Sequence, residues 1–314
     1  MIEDLKLGLG TAAIGRPQYI NIRQNRNEEH SLDTFKHNGS ELIHKAYDLG
    51  IRYFDTAPGY GMAEELMLDW RKDHHPEVEI ATKWGYTYTA GFDPTAKIHE
   101  VKEHSLSKLN EQWKVSKHLA PQLKYYQIHS ATLESGVLEN DAVLNRLNEI
   151  KEEYGLVIGL TTTGENQLEV LQKAIEIERN GSKLFGLFQV TYNVFDQSLA
   201  AVAKDLDAKL VIKEAMANGR LFPNTRYLHY SKAYDTLEQM AEKYNVGIDA
   251  VALRFCMDSI PIYKVLSGAI TNEQLTNNLQ AESFEFEEED LDLLKYLHVS
   301  PQDYWAERKR LSWN

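Results

Sequence analysis

The sequence predicts an α/β protein of the TIM type, a closed (β/α)8 barrel. Three observations lead there. Eight short apolar runs each precede at least one segment with helical periodicity, and strict βα alternation implies a parallel sheet. Eight such units in about 280 residues is the size of a closed barrel. The third is what an open dinucleotide-binding sheet would need and the chain lacks: Gly8-Leu-Gly10-Thr-Ala-Ala-Ile-Gly15 misses the third glycine at the required spacing, and no helix follows directly. The chain, residues 1–314, reads as one barrel domain with a polar loop at 15–39 and a C-terminal helix and tail at 282–314.

Leu5–Gly10 reads as the first strand. Residues 15–39 are polar without a clear period, the length of a functional loop or a surface insertion. Ser40 can cap a helix whose Leu42, Ile43, Ala46, Tyr47 and Leu49 recur at helical spacing, with Gly50 ending it. Tyr53–Asp55 is the second strand, and Met62, Leu66, Met67 and Trp70 mark the next helix. Strands at Val78–Lys83, Leu123–His129, Leu156–Leu160 and Leu184–Tyr192 follow. Their helices carry, in turn, Val101, Leu106 and Leu109; Val143, Leu144, Leu147 and Ile150; Leu168, Leu171, Ala174 and Ile175; and the run Ser198–Leu206. Lys209–Lys213 is the seventh strand, followed by helices at Tyr234–Tyr244 and Asp249–Met257, and Ile262–Leu266 is the eighth, followed by Glu273–Leu279. An acidic helix near Glu287–Leu297 and a tail with Tyr304, Trp305 and Trp313 close the chain.

The net charge of −13 argues against nucleic acid or an anionic membrane as the main partner. No apolar run nears the roughly 18 residues that span a bilayer, and the N-terminus has no signal-peptide pattern, so a cytoplasmic protein is expected. Cys256, the single cysteine, sits in the helical run Val251–Met257 and reads as buried and inert. No metal site is expected: no His-x-His ends a strand, and His74-His75 before Pro76 reads as an exposed helix end.

In such a barrel the site is built at the C-terminal ends of the strands. Asp55 ends the second strand, Lys83 the third and His129 the fourth, and Tyr60 follows in the Pro58-Gly59-Tyr60-Gly61 turn. Thr161 and Thr162 end the fifth, Gln189 lies in the sixth, Lys213 ends the seventh and Ser267 the eighth. Each alone has a plain structural reading: an ion pair, a core histidine, a turn aromatic. Together they form a proton donor for an alkoxide forming at a carbonyl carbon. The Lys83 ammonium is expected to lower the phenol pKa from about 10, Asp55 to hold Lys83, and His129 to orient the substrate oxygen. The set has no strong nucleophile. A hydride is still required, which no side chain supplies, so a nicotinamide cofactor is implied.

The motifs Phe54-Asp-Thr-Ala-Pro-Gly-Tyr-Gly61 with Ala63-Glu64, Ala81-Thr-Lys-Trp-Gly85, Tyr126-Gln-Ile-His129, Gln189-Val-Thr-Tyr-Asn193, Ala217-Asn-Gly-Arg-Leu221, Ser267-Gly-Ala269 and Gln274-Leu-Thr-Asn-Asn278 resemble the aldo-keto reductase family over residues 5–281. The resemblance implies NADP- or NAD-dependent interconversion of a carbonyl (aldehyde, ketone or aldose) and an alcohol. It makes Tyr60 the general acid/base, with Asp55, Lys83 and His129 completing a tetrad. It implies cofactor contacts from Thr11, Asp55, Thr161, Thr162, Gln189, Lys213, Met216, Gly219, Ser267, Gln274 and Asn278. Gln189 matches the family's carboxamide-binding glutamine, and Thr161-Thr162 replace its usual Ser-Asn pair. The aromatic that normally stacks on the nicotinamide aligns with Lys213, so either the lysine stem or an aromatic such as Tyr192 or Phe222 must cover the ring. The pyrophosphate is expected along Met216, Ala217, Asn218 and Gly219. The loop Ser267–Gln274 has no basic residue and includes Glu273, which predicts weak discrimination for NADP, with NAD used comparably or preferentially.

A barrel serving as a nucleotide-binding sensor or auxiliary subunit is the competing reading, and the intact tetrad argues against it. Residues 16–39, Trp84–Phe92, Phe222–Tyr230 and Tyr304–Trp313 are the candidate specificity segments, and their polar, tyrosine-rich character suits a hydroxylated, sugar-like substrate.

Overall fold

In the computed structural model, which describes residues 5–18, 22, 31–73, 75–93 and 95–313, eight parallel strands close into a barrel. They are β1 (Leu7–Gly10), β2 (Tyr53–Asp55), β3 (Glu79–Trp84), β4 (Leu123–Ala131), β5 (Val157–Thr162), β6 (Phe185–Thr191), β7 (Lys209–Lys213) and β8 (Lys264–Ser267). The ring runs in sequence order, with β8 pairing back onto β1. Outside it lie α1 (Leu32–Asp48), α2 (Ala63–Trp70), α3 (Leu106–Ser116), α4 (Asp141–Tyr154), α5 (Gln167–Ile175), α6 (Ser231–Tyr244), α7 (Ile248–Ser259), α8 (Asn272–Leu279), α9 (Glu288–Lys295) and α10 (Pro301–Arg308).

Strand alternation sorts the residues by function. Along each strand every second side chain enters the lumen. Tyr53, Ala81, Tyr125, Leu187 and Val211 form one buried lumen cluster. Two positions further along the same strands stand Asp55, Lys83, Gln127, Gln189 and Lys213, so one apolar layer supports one polar layer. The register fits this ring: Asp55 pairs with Ala81, Lys83 with Gln127 and Gln189 with Thr161. Below, Tyr125, Tyr263, Glu79 and Lys209 plug the other end with a hydroxyl and ion network, including Lys209 Nζ donating to Tyr125 Oη at 2.7 Å.

Four local expectations are corrected. Helix α1 starts at Leu32, capped by Ser31, whose hydroxyl accepts from Thr34 N at 3.2 Å, and not after Ser40. Its first two turns are mostly solvent-facing, which hides the period; Gly39 is the buried position, against Ile14 and Leu66. The expected loop at 15–39 therefore shrinks, and its residues 19–21 and 23–30 lie outside the described set. Val101 is not helical: Glu100–Lys102 pairs antiparallel with Tyr86–Tyr88, so the segment after β3 is a hairpin. Ser198–Leu206 forms one 3-10 turn, Ser198–Ala201, followed by hydrogen-bonded turns over residues 202–205. The aromatic tail contains a helix, α10, with Ser300 as its cap and Pro301 in its first turn.

No helix among the described residues is long and apolar enough to cross a membrane. Cys256 is free and buried in α7, and burial pushes its thiol pKa up. His75 stacks on Trp70 at 4.3 Å, His74 lies outside the described residues, and no described cluster is arranged to hold a metal.

The turn after β1 packs backbone against backbone on the Tyr60 turn. Gly15 O accepts from Met62 N at 2.8 Å, and a Cβ on Gly15 would stand 2.0 Å from Tyr60 O and 2.5 Å from Ala63 Cβ. Gly15→Ala must push the turn aside. It is expected to cost about 1–3 kcal/mol in urea unfolding and to lower activity; unchanged stability would show that the two turns do not touch.

Candidate active site

The polar layer opens at the C-terminal end of the barrel. Asp55 is 2% exposed and Lys83 is fully buried. Lys83 Nζ donates to Asp55 Oδ2 at 2.5 Å and to Thr56 O at 2.9 Å. Asp55 Oδ1 accepts from Gln189 Nε2 at 2.7 Å and from Gln127 Nε2 at 3.4 Å. Four strands thus saturate one carboxylate, as a buried charge requires. Thr11, on the turn after β1, fixes the strand beneath by donating its hydroxyl to Asp55 O at 3.0 Å.

Tyr60 lies above this pair. Its ring centroid is 4.6 Å from Lys83 Nζ, and its hydroxyl is 3.5 Å from His129 Nε2. The expected direction of the phenol shift is reversed. Burial, with Asp55 adding to it, pushes the Tyr60 pKa well above its usual value. Lys83 is itself held by Asp55 at 2.5 Å, and among the charges Asp55 contributes most to the rise. Arg16 acts in the opposite direction. His129 is driven well below the usual imidazole value by burial, and further by Lys83 and Arg16, so its ring is neutral at pH 7.

Residues that the sequence placed only within specificity segments (Arg16, Tyr86, Trp313) or missed (Glu100, His99, His104) complete the surroundings. Arg16, 3% exposed, donates to Gly59 O at 3.1 Å and pairs with Glu100 at 2.7 Å, with its guanidinium 5.6 Å from the Tyr60 ring centroid. Trp313 covers the same guanidinium at 4.7 Å and stacks on His99. His104 Nε2 donates to His129 O at 2.8 Å, and burial lowers its pKa to about 4. Tyr86 lies 4.7 Å from the His129 ring. A charged residue in a turn next to a strand end, as in Gly15-Arg16-Pro17, was the available signal for Arg16.

The cofactor candidates divide. Gln189 faces the lumen, and its amide oxygen makes no hydrogen bond to the described residues. Thr161 is turned inward, its hydroxyl accepting from Ser130 N at 2.7 Å. Thr162 is not brought to the site: alternation turns it outward, where its hydroxyl meets Gln167 of α5 at 3.2 Å. Tyr192 also points outward and stacks on Phe255 of α7 at 5.7 Å, which removes it as a cover for a ring in the lumen. Phe222 is half-buried in the loop after β7.

Lys213 Nζ donates to Thr191 Oγ1 at 3.0 Å. Burial lowers its pKa, against the pull of the neighbouring Glu214. Burial opposes ionisation of Glu214, but Lys213 and Arg308 outweigh it and hold that carboxyl down to about 2. Beyond it, Ala217, Asn218 and Gly219 follow one another with positive φ, and Asn218 O accepts from Ile22 N at 3.0 Å. Met216 O accepts from Gly219 N at 2.9 Å, closing this turn. In the eighth loop Ser267 and Asn278 are joined at 2.7 Å, and the Gln274 side chain accepts from Ile270 N at 2.9 Å. The unengaged Gln189 amide oxygen and the inward Thr161 are groups that could hold an amide-bearing ring, with Lys213 on the neighbouring strand.

The Aldo/keto reductase family model matches residues 6–298. Among curated proteins, the uncharacterized oxidoreductase YqkF of Bacillus subtilis is 25% identical over 277 residues, covering 80% of this chain and 84% of that one. Pyridoxal 4-dehydrogenase of Microbacterium luteolum is 22% identical over 315 residues, covering 87% and 88%. Among solved structures, the glycerol dehydrogenase AKR11B4 of Gluconobacter oxydans superposes with a TM-score of 0.70 at 20% identity, covering 95% and 94% of the two chains. The holo form of aldo-keto reductase AKR11C1 from Bacillus halodurans gives 0.69 at 20%, covering 94% and 92%.

Glu64, in α2 behind Lys83, bonds Thr82 at 2.6 Å and Ser116 at 2.9 Å, and burial raises its pKa from 4.5 to about 7. An acid with a raised folded pKa contributes its full stability below about 4.5 and loses it as pH rises through about 7. Wild-type stability should therefore carry a loss of up to about 3 kcal/mol across that window, and Glu64→Gln should remove it. Urea unfolding at several pH values checks this; an equal slope in both proteins would exclude Glu64 as the source.

Proposed function

The chain belongs to the aldo/keto reductase family, and we propose that it is an NAD(P)(H)-dependent oxidoreductase interconverting a small carbonyl compound and its alcohol, with Tyr60 as general acid/base. The observation that carries this reading is the approach of Tyr60 Oη to His129 Nε2, 3.5 Å apart, above a buried Lys83–Asp55 pair. Because His129 is neutral, its Nε2 can donate a hydrogen bond to a carbonyl oxygen without competing for the proton. Tyr60 retains its proton in the free protein and hands it to that oxygen as negative charge develops there. Lys83 and Asp55 then offer the resulting phenolate a cation already in place. Alcohol oxidation is the same path reversed.

A bound nicotinamide cofactor supplies or accepts the hydride. Gln189 and Thr161 would hold its carboxamide, the Met216–Gly219 turn its pyrophosphate, and Ser267, Gln274 and Asn278 its adenosine end. The absence of a basic residue from Ser267 to Gln274 supports use of NAD at least as readily as NADP. Relatives named for pyridoxal and for glycerol dehydrogenation support a small hydroxyl-bearing substrate.

NAD(P)H oxidation against a panel of aldehydes, ketones and aldoses tests the reading. Tyr60→Phe should lower kcat by roughly 10²–10⁴, and a variant with wild-type turnover would overturn the assignment. In the same assay, KM for NADH should be equal to or below that for NADPH; a preference for NADPH of about tenfold or more would contradict the cofactor assignment.

A further inference from the structure

The hairpin after β3 turns one face toward the site. Tyr86 lies opposite Lys102 and Tyr88 opposite Glu100. Opposed residues share a face. The intervening pair, Thr87 and Val101, takes the other, and Val101 is 47% exposed. Tyr86 reaches the His129 ring and Glu100 reaches Arg16, so the inner face is the one carrying Lys102.

Most charges around the mouth have a close partner of opposite sign among the described residues or stand directly beside one. Lys83 has Asp55, Arg16 has Glu100, and Lys213 and Arg308 flank Glu214. Lys102 is half-buried and makes no ion pair among the described residues; its one hydrogen bond, to Thr132 Oγ1, is long at 3.4 Å. Glu134 acts on it only through space, while bonding Thr132 and facing Lys309 as well. Burial correspondingly lowers the pKa of Lys102. A desolvated ammonium without a counter-ion is unfavourable, and a bound anion offsets that cost.

We propose that Lys102 is the anion-recognition residue of the substrate site, so that the preferred substrates are carbonyl compounds bearing a carboxylate or phosphate at the end remote from the carbonyl. This rests on the carbonyl-oxidoreductase reading above. His129 and Thr132, the hydrogen-bond partner of Lys102, lie on β4 and just beyond it, so a carbonyl oxygen at His129 and an anion at Lys102 can belong to one small molecule.

The test uses the full chain and two matched pairs, pentanal with 5-oxopentanoate and D-erythrose with D-erythrose 4-phosphate. A second readout is calorimetric binding of 4-hydroxybutanoate against 1,4-butanediol. The wild type should favour at least one anionic member, in kcat/KM and in binding its class, by about tenfold or more. Lys102→Met should abolish that preference while leaving the neutral arm unchanged, Lys102→Arg should restore it, and Tyr60→Phe should keep the binding preference while losing turnover. The carboxylate and phosphate pairs distinguish the two sources. Equal use of neutral and anionic members, or equal losses in both arms of Lys102→Met, overturns the proposal. Tyr60-dependent turnover without anion preference removes this inference alone. Lys102-dependent anion binding without any carbonyl turnover removes instead the reading on which it rests.

Discussion

A carboxylate enclosed in the barrel lumen sets the terms for the rest of the site. Asp55 is almost sealed from solvent, and an uncompensated charge there would cost several kcal/mol. Lys83, Gln189 and Gln127 reach it from three other strands, which requires the strands to be in the observed register. Alternation then fixes the layer below as apolar and small or aromatic, and the layer above as the place where substrate can meet Tyr60 and His129. A one-residue slip in any of these strands would turn its polar group into the helix layer.

Burial of the phenol beside the Asp55 carboxylate keeps it protonated in the free site, and Arg16 acts against them. Arg16 is in turn held by Glu100 of the hairpin and covered by Trp313 of the tail. The loop after β7 is tied down in the same manner. Arg308 makes bonds of 3.1 and 2.9 Å to Glu214, Arg220 meets Tyr304 O and Glu307, and Trp305 Nε1 donates to Asp196 at 3.1 Å. The C-terminal helix, which lies beyond the family match ending at residue 298, is thus built into the mouth of the barrel.

Most of the barrel was legible because strand and helix periods are local, and each of the eight strands declared itself by a short apolar run with a polar residue at its end. That Asp55, Tyr60, Lys83 and His129 come together was legible for the same reason: a strand end is a position that sequence can identify. What escaped depends on long-range contact. The hairpin after β3 has strands of three residues, too short to show a period, although Tyr86-Thr-Tyr-Thr89 has β-forming composition. The outward turn of Thr162 and Tyr192 follows from counting by twos once Gln189 is known to face the lumen. The reversal at Tyr60 could not be read at all, since it depends on how deeply folding buries the phenol beside Asp55. Arg16, Trp313 and His99 are far apart in the chain, and only folding stacks them.

The central claim is that burial beside the Asp55 carboxylate keeps Tyr60 protonated, as a proton donor. Carbon-13 NMR titration of the tyrosine ring carbons, with Tyr60 assigned by its loss in Tyr60→Phe, measures this directly. The account predicts that the Tyr60 resonance stays in its protonated position to above about pH 10 in the free protein. Ionisation of Tyr60 near or below neutral pH would contradict it.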